Sequence, residues 1–231
     1  PDTNEKLGAV YTYPAVSICD PTYTYTVSPY QTAAGSADIM SHIFEGYFSR
    51  TMDSDLSDGI AETILKSVMK NCKIALKDPT NYSARANLMA NSSVACSGIP
   101  EYGKQETGWP CHAMEHELSA YYDITHGVGL AILTVRWMRH ILNKDASATE
   151  RFVKFAMGLN GDDERALAFA GIDALENYFK ETGIPMTLTE LGIDDKHFVA
   201  MAEHANIGGY LKDAFVALTN EDIVEIYKAC L

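Results

Sequence analysis

Three observations predict an all-α fold. Apolar residues recur at helical spacing over almost the whole chain, helix N-cap signatures precede those runs, and only short Gly, Pro and Asp breaks separate them. The 231 residues are ample for one core, in one or two packed helical lobes. Residues 1–25 are the exception. Rich in Tyr, Thr and Val, they read as a strand and connector left from a preceding domain, which places the helical domain at 26–231.

The first helix has a marked start: Ser28 is a candidate N-cap, Pro29 fills the first helical position, and Gln31 completes an S-x-x-Q capping box. Next, Leu56, Ile60, Ile64, Val68, Cys72 and Leu76 recur at four-residue steps and predict a buried stripe that ends at Asp78-Pro79. In ARANLMANSSVACSG, the residues Ala90, Ser93, Val94 and Ser97 form a small-residue face. Such a face permits close approach of a ligand, and equally tight packing on a neighbouring helix. After a histidine-rich segment, GVGLAILTVRWMRHIL reads as a buried helix. Ser147-x-x-Glu150 and Thr187-x-x-Glu190 resemble further capping boxes, and Thr219-x-x-Asp222 opens a terminal helix on Ile223, Ile226 and Tyr227.

The chemistry concentrates in CHAMEHELSAYYDITHG, from Cys111 to Gly127, which holds three of the seven histidines. His112 and His116 share a helix face at i, i+4. On one unbroken helix, His126 would lie about 21 Å from His112, too far for one ion. A turn between Tyr121 and Thr125, where Asp123 and Thr125 favour turns and caps, would carry it back. Upstream, Asp38 and His42 form a second i, i+4 pair. Together Asp38, His42, His112 and His126 make a set of three nitrogens and one oxygen with no thiolate, suited to Fe(II) or Zn(II) rather than to calcium, magnesium or a cluster. Cys111, about 100° round the helix from His112, should miss the ion. Glu115 and Glu117 flank His116 as solvated or supporting carboxylates. His140, His197 and His204 lack a partner at ligand spacing and read as ordinary surface or boundary residues.

The chain resembles the C-terminal, metal-binding domain of the iron-containing (group III) alcohol dehydrogenases, in particular their NADPH-dependent butanol dehydrogenase branch. The resemblance rests on DPTYTYTVSPYQTAAGSADIMSHIFEGY, ARANLMANSSVA, HAMEHELSAYYDITHGVGLAIL, IPMTLTELGI and LTNEDIVEIYKA, in family order over almost the whole length. It implies Fe(II), with Zn(II) as the alternative, on Asp38, His42, His112 and His126. It gives His116 a catalytic role beside the metal and the nicotinamide. It also implies NADP(H) as the hydride carrier, bound by a separate N-terminal nucleotide-binding domain, and an alcohol or aldehyde as substrate. This chain contains no G-x-G-x-x-G and no other glycine-rich phosphate loop, and Gly208-Gly209 reads as a turn. The expectation is therefore a domain cut from a longer enzyme, inactive without its nucleotide-binding half, with self-association into a homodimer left open.

Two rival readings remain at this level. His112-Ala113-Met114-Glu115-His116 also satisfies H-x-x-E-H, the inverted zinc-peptidase motif, in which both histidines bind zinc and the glutamate is general base. A non-catalytic helical metal-binding module is the other. Composition narrows the partners: a net charge of −13 argues against nucleic acid and anionic membranes. No apolar run approaches a membrane span and no signal peptide is evident. Five scattered cysteines without C-x-x-C read as reduced thiols, which suggests the cytoplasm.

Overall fold

The computed structural model describes residues 14–231 apart from 106 and 157, and within them every regular element is helical. The α-helices are α1 (Pro29–Tyr47), α2 (Asp55–Lys77), α3 (Tyr82–Ala95), α4 (Pro110–Tyr122), α5 (His126–Lys144), α6 (Thr149–Phe155), α7 (Glu164–Glu181), α8 (Phe198–Ala205) and α9 (Asn220–Ala229). The strand expected near the start falls partly on residues outside the described ones. Residues 14–20 are irregular, and Pro21–Thr24 forms a single 3-10 turn whose first N–H groups are capped by Asp20. Residues 14–25 thus carry no strand, and at Pro21–Thr24 the proline and the Asp20 cap favour a turn over extended pairing.

Helix starts follow local chemistry. Ser28 Oγ accepts from Gln31 N–H at 3.2 Å, Asn81 caps α3 through Ala84 N–H, and Thr219 with Asp222 forms a complete capping box on α9. Two expected boxes differ. Ser147 sits inside a 3-10 turn and donates both its N–H and its hydroxyl to Asp145, so Asp145 is the cap there. Thr187 and Glu190 do exchange reciprocal bonds, but over a short 3-10 turn, Thr189–Leu191.

The expected stripe of α2 is corrected in the same way. Four-residue steps overshoot a helical turn by about 40° each, so the row winds round the helix. Leu56 is 77% exposed while Ile64, Val68 and Cys72 are buried. The buried face runs instead through Ala61, Ile64, Leu65, Val68, Cys72 and Ala75, at steps of three and four. The small-residue face of α3 is likewise mostly outward, with Ala90, Ser93 and Ser97 exposed.

The central element is α5, apolar on nearly every side and packed against α1, α4, α7 and α9. Its first turn lies directly on the α1 backbone. A Cβ at Gly127 would fall 2.0 Å from the Ala34 carbonyl oxygen, so only glycine permits this approach. A strap from Gly98 to Trp109 joins α3 to α4 and is pinned by buried charge. Asp58, 1% exposed, receives Lys104 of the strap at 2.6 Å, Arg151 at 2.7 Å and Lys154 at 2.6 Å. Ser57 Oγ also donates to the Tyr102 carbonyl at 2.7 Å. Among the described residues no helix is long and apolar enough to cross a membrane.

Candidate metal centre

Three helix segments meet at one carboxylate. On α1, Asp38 and His42 stand one turn apart. On α4, His112 follows the Trp109-Pro110 start. The chain then reverses at Asp123, whose left-handed backbone (φ 52°) closes α4, and α5 begins with His126 itself. The turn expected between Tyr121 and Thr125 is therefore present, and it brings His126 back beside His112, with ring centroids 5.3 Å apart.

All four expected ligands converge. Asp38 Oδ1 lies 3.7 Å from His42 Nε2, 3.8 Å from His112 Nε2 and 3.6 Å from His126 Nε2. Around a tetrahedral ion with bonds of 2.0–2.2 Å, donor atoms stand roughly 3.3–3.6 Å apart; the observed spacings match to within a few tenths of an ångström. Asp38 Oδ1 is buried and has no hydrogen-bond partner among the described residues, a costly state for a carboxylate oxygen unless a cation faces it. One anionic oxygen and three imidazole nitrogens suit Fe(II) or Zn(II).

Two carboxylates stand behind the histidines. Glu45 on α1, 2% exposed, accepts the His112 backbone N–H at 2.8 Å, and the same oxygen lies 3.1 Å from His112 Nδ1. Burial pushes the Glu45 carboxyl up to about 8, against the opposing bonds from the His112 and Cys111 backbone N–H groups. Glu115 on α4, fully buried, accepts from Ser119 Oγ at 2.5 Å and pairs through its other oxygen with His126 Nδ1. Burial, then the neighbouring His112, lowers the pKa of His42.

His116 is exposed at the rim, its ring stacked on His126 at 5.5 Å and 6.1 Å from His112. Trp109 roofs the opposite side, with its ring 5.2 Å from His42 and 4.9 Å from His112, in left-handed backbone (φ 51°) that is unusual for a bulky residue. The remaining histidines lie elsewhere, and two have acidic partners that their spacing in sequence does not announce. His140 Nε2 is 3.0 Å from Asp222 Oδ1, with Lys144 on the other Asp222 oxygen, and His204 is 3.4 Å from Glu117. His197 packs on Tyr121 at 5.1 Å.

Glu45 and Trp109 are the site residues that motif reading missed. A signal for Glu45 existed: it is at i+7 from Asp38 and i+3 from His42, a charge on the ligand face in the otherwise apolar IFEGYF.

Comparison with known proteins gives concordant results. A family model described as Fe-containing alcohol dehydrogenase family, C-terminal, matches residues 32–231. The chain is similar to NADH-dependent butanol dehydrogenase A of Clostridium acetobutylicum, 47% identical over 98% of this chain and 59% of that protein. It is 34% identical to the NADPH-dependent aldehyde reductase YqhD of Escherichia coli, over 85% of this chain and 51% of that one. Among solved structures, NADH-dependent butanol dehydrogenase A from Thermotoga maritima superposes with a TM-score of 0.87 at 35% identity, covering 99% of this chain and 60% of that chain. The chain thus spans about three fifths of the length of these butanol dehydrogenases.

Proposed function

Because the chain belongs to the iron-containing alcohol dehydrogenase family, as its all-helical C-terminal part, we propose that Asp38, His42, His112 and His126 hold one divalent ion, Fe(II) or alternatively Zn(II), at the centre of an NAD(P)-dependent alcohol dehydrogenase or aldehyde reductase. The observation that carries this is the single Asp38 oxygen faced by three Nε2 atoms at 3.6–3.8 Å. When bound, such an ion supplies Lewis acidity, polarising an aldehyde carbonyl or lowering the pKa of an alcohol.

The chain's own residues then have distinct tasks. Trp109 walls one side of the centre, its ring packed against those of His42 and His112. His116, exposed beside His126, is placed to orient the substrate or to pass a proton to and from the alcohol oxygen. A nicotinamide nucleotide, held by a separate nucleotide-binding part as in a dehydrogenase, would supply the hydride. Relatives named for NADH and for NADPH both match, and their names support short aliphatic alcohols and aldehydes of the butanol type as substrates.

The peptidase reading loses ground on geometry. Its general base would be Glu115, yet one Glu115 oxygen accepts from Ser119 and the other pairs with His126, and the side chain has no exposed surface. It would also leave Asp38, His42 and His126 without a role.

Metal analysis of the purified chain is the direct test, with about one ion per chain expected and loss of it in a His112→Ala, His126→Ala double variant. Undiminished metal in that variant would overturn the assignment. In the full-length parent, NAD(P)H-dependent reduction of short aldehydes should depend on the same four residues.

A further inference from the structure

The two carboxylates behind the centre make different bonds but share one relation to it. Glu45 Oε1 lies 3.1 Å from His112 Nδ1. Glu115 Oε2 meets His126 Nδ1. In each case the contact is to the ring nitrogen away from Asp38, while Nε2 of the same ring faces Asp38 Oδ1. An ionised or carbonyl-type carboxyl oxygen at Nδ1 keeps the proton on that nitrogen and leaves the Nε2 lone pair for the ion.

Each carboxylate is itself held in place. Glu45 Oε1 also takes the His112 backbone N–H at 2.8 Å, so ring and backbone of one residue are gripped by a single oxygen. Glu115 is fixed by Ser119 Oγ at 2.5 Å, giving a Ser119–Glu115–His126 chain. Space is reserved for it: a Cβ at Gly129 would fall 2.8 Å from Glu115 Cγ and 2.9 Å from its Oε1. Among the described residues the third imidazole has no such device, since His42 Nδ1 is buried without a hydrogen-bond partner there. Its ring is bounded instead by the edge contacts with Trp109 and His112.

We propose that Glu45 and Glu115 are positioning residues that preset the tautomer and ring angle of His112 and His126, so that two of the three imidazoles are ready for the ion before it arrives. The inference rests on the metal-centre reading given above. It implies that the bare site is built and not assembled by the ion, with the ordering of two rings already met by folding.

The test uses the 231-residue chain, with Zn(II) as the probe. In the metal-free wild type, nitrogen-detected NMR should find His112 and His126 both protonated at Nδ1 and bare at Nε2. Glu45→Ala should release only His112, and Glu115→Ala only His126. Zn(II) affinity, measured against a competing chelator, should fall about 10–100-fold for each alanine variant. Glu45→Gln and Glu115→Gln, whose amide oxygen still accepts from Nδ1–H, should recover most of that loss. Wild-type chain that takes up no Zn(II) would overturn the metal centre, and this proposal with it. Wild type that binds Zn(II) while the alanine variants bind equally well would overturn the positioning role alone. Should the alanine variants fail to fold, the wild-type spectrum and the glutamine variants decide, and a proton on Nε2 of either ring in the wild type refutes the proposal.

Discussion

Replacing Gly127 with alanine drives a carbon into the backbone of α1. The new Cβ would lie 2.0 Å from the Ala34 carbonyl oxygen, 2.6 Å from its carbon and 3.1 Å from its Cα. Ordinary heavy-atom contacts begin near 3.5 Å, so the start of α5 must retreat by about 1 Å or more, and no flexible side chain is available to give way. Overpacking of this kind costs about 1–3 kcal/mol, while the better helix propensity of alanine returns at most about 1 kcal/mol. A net loss of about 1–2 kcal/mol in a chain of this size lowers the melting temperature by roughly 2–8 °C. The same retreat carries His126 with it. Its Nε2 stands 3.6 Å from Asp38 Oδ1, and a 1 Å displacement away from α1 takes that spacing beyond the roughly 3.3–3.6 Å separation of donors on a tetrahedral ion. Gly35→Ala is the control: it lies on the exposed face of α1, with nothing among the described residues within 4 Å of its Cβ, and should stabilise by about 0.5–1 kcal/mol. Thermal melts of the metal-free chain and Zn(II) titrations measure both effects. If Gly127→Ala melts as high as Gly35→Ala and binds Zn(II) like the wild type, the close crossing of α1 and α5 does not set the site.

Other outcomes follow from the buried charge, the roof and the rim. Burial raises the Asp58 pKa, but the bonds from Lys104, Lys154 and Arg151 outweigh it and hold the carboxyl at about 2, below its ordinary 3.8. A depressed folded-state value stabilises the fold above pH 3.8 and loses that contribution, of order 2 kcal/mol, as pH falls from there toward 2. Asp58→Asn should therefore cost about 3–5 kcal/mol at pH 6 by stranding buried Lys104 and Arg151, and urea melts in which the variant matches the wild type at pH 6 would contradict this. Trp109→Gly should melt above Trp109→Ala by about 1 kcal/mol, because glycine alone removes the left-handed strain while both lose the ring; equal melting points would mean that the backbone is unstrained. In the full-length parent, His116→Ala should keep its metal while turnover falls about 10²–10⁴-fold; loss of metal in the same preparation would instead make His116 a ligand.

Much of this was legible in the residue order because the signals act within one or two turns. Ser28 and Thr219 cap their helices with bonds to backbone groups three residues away, and Asp38 and His42 share a face by helical geometry alone. The reversal at Asp123 was readable too, since a short polar side chain tolerates the left-handed conformation that ends α4. Where local reading failed, something competed with it. Asp145 took the N–H and hydroxyl of Ser147 itself, which placed Ser147 inside a 3-10 turn and not at a helix start, and strict four-residue counting hid the drift that leaves Leu56 in solvent.

By itself the sequence determined a helical fold, the starts of α1 and α9, and a donor set suited to a divalent ion, because capping bonds, helical period and side-chain chemistry are properties of neighbours. The tertiary structure decided which atoms face one another. Glu45 reaches His112 across 67 positions and His140 finds Asp222 across 82. The bare backbone of Gly127 seats α5 on α1. Such contacts arise only when helices distant in sequence pack at a particular depth and angle, and that geometry is set by the fit of whole helix faces, which no short motif encodes.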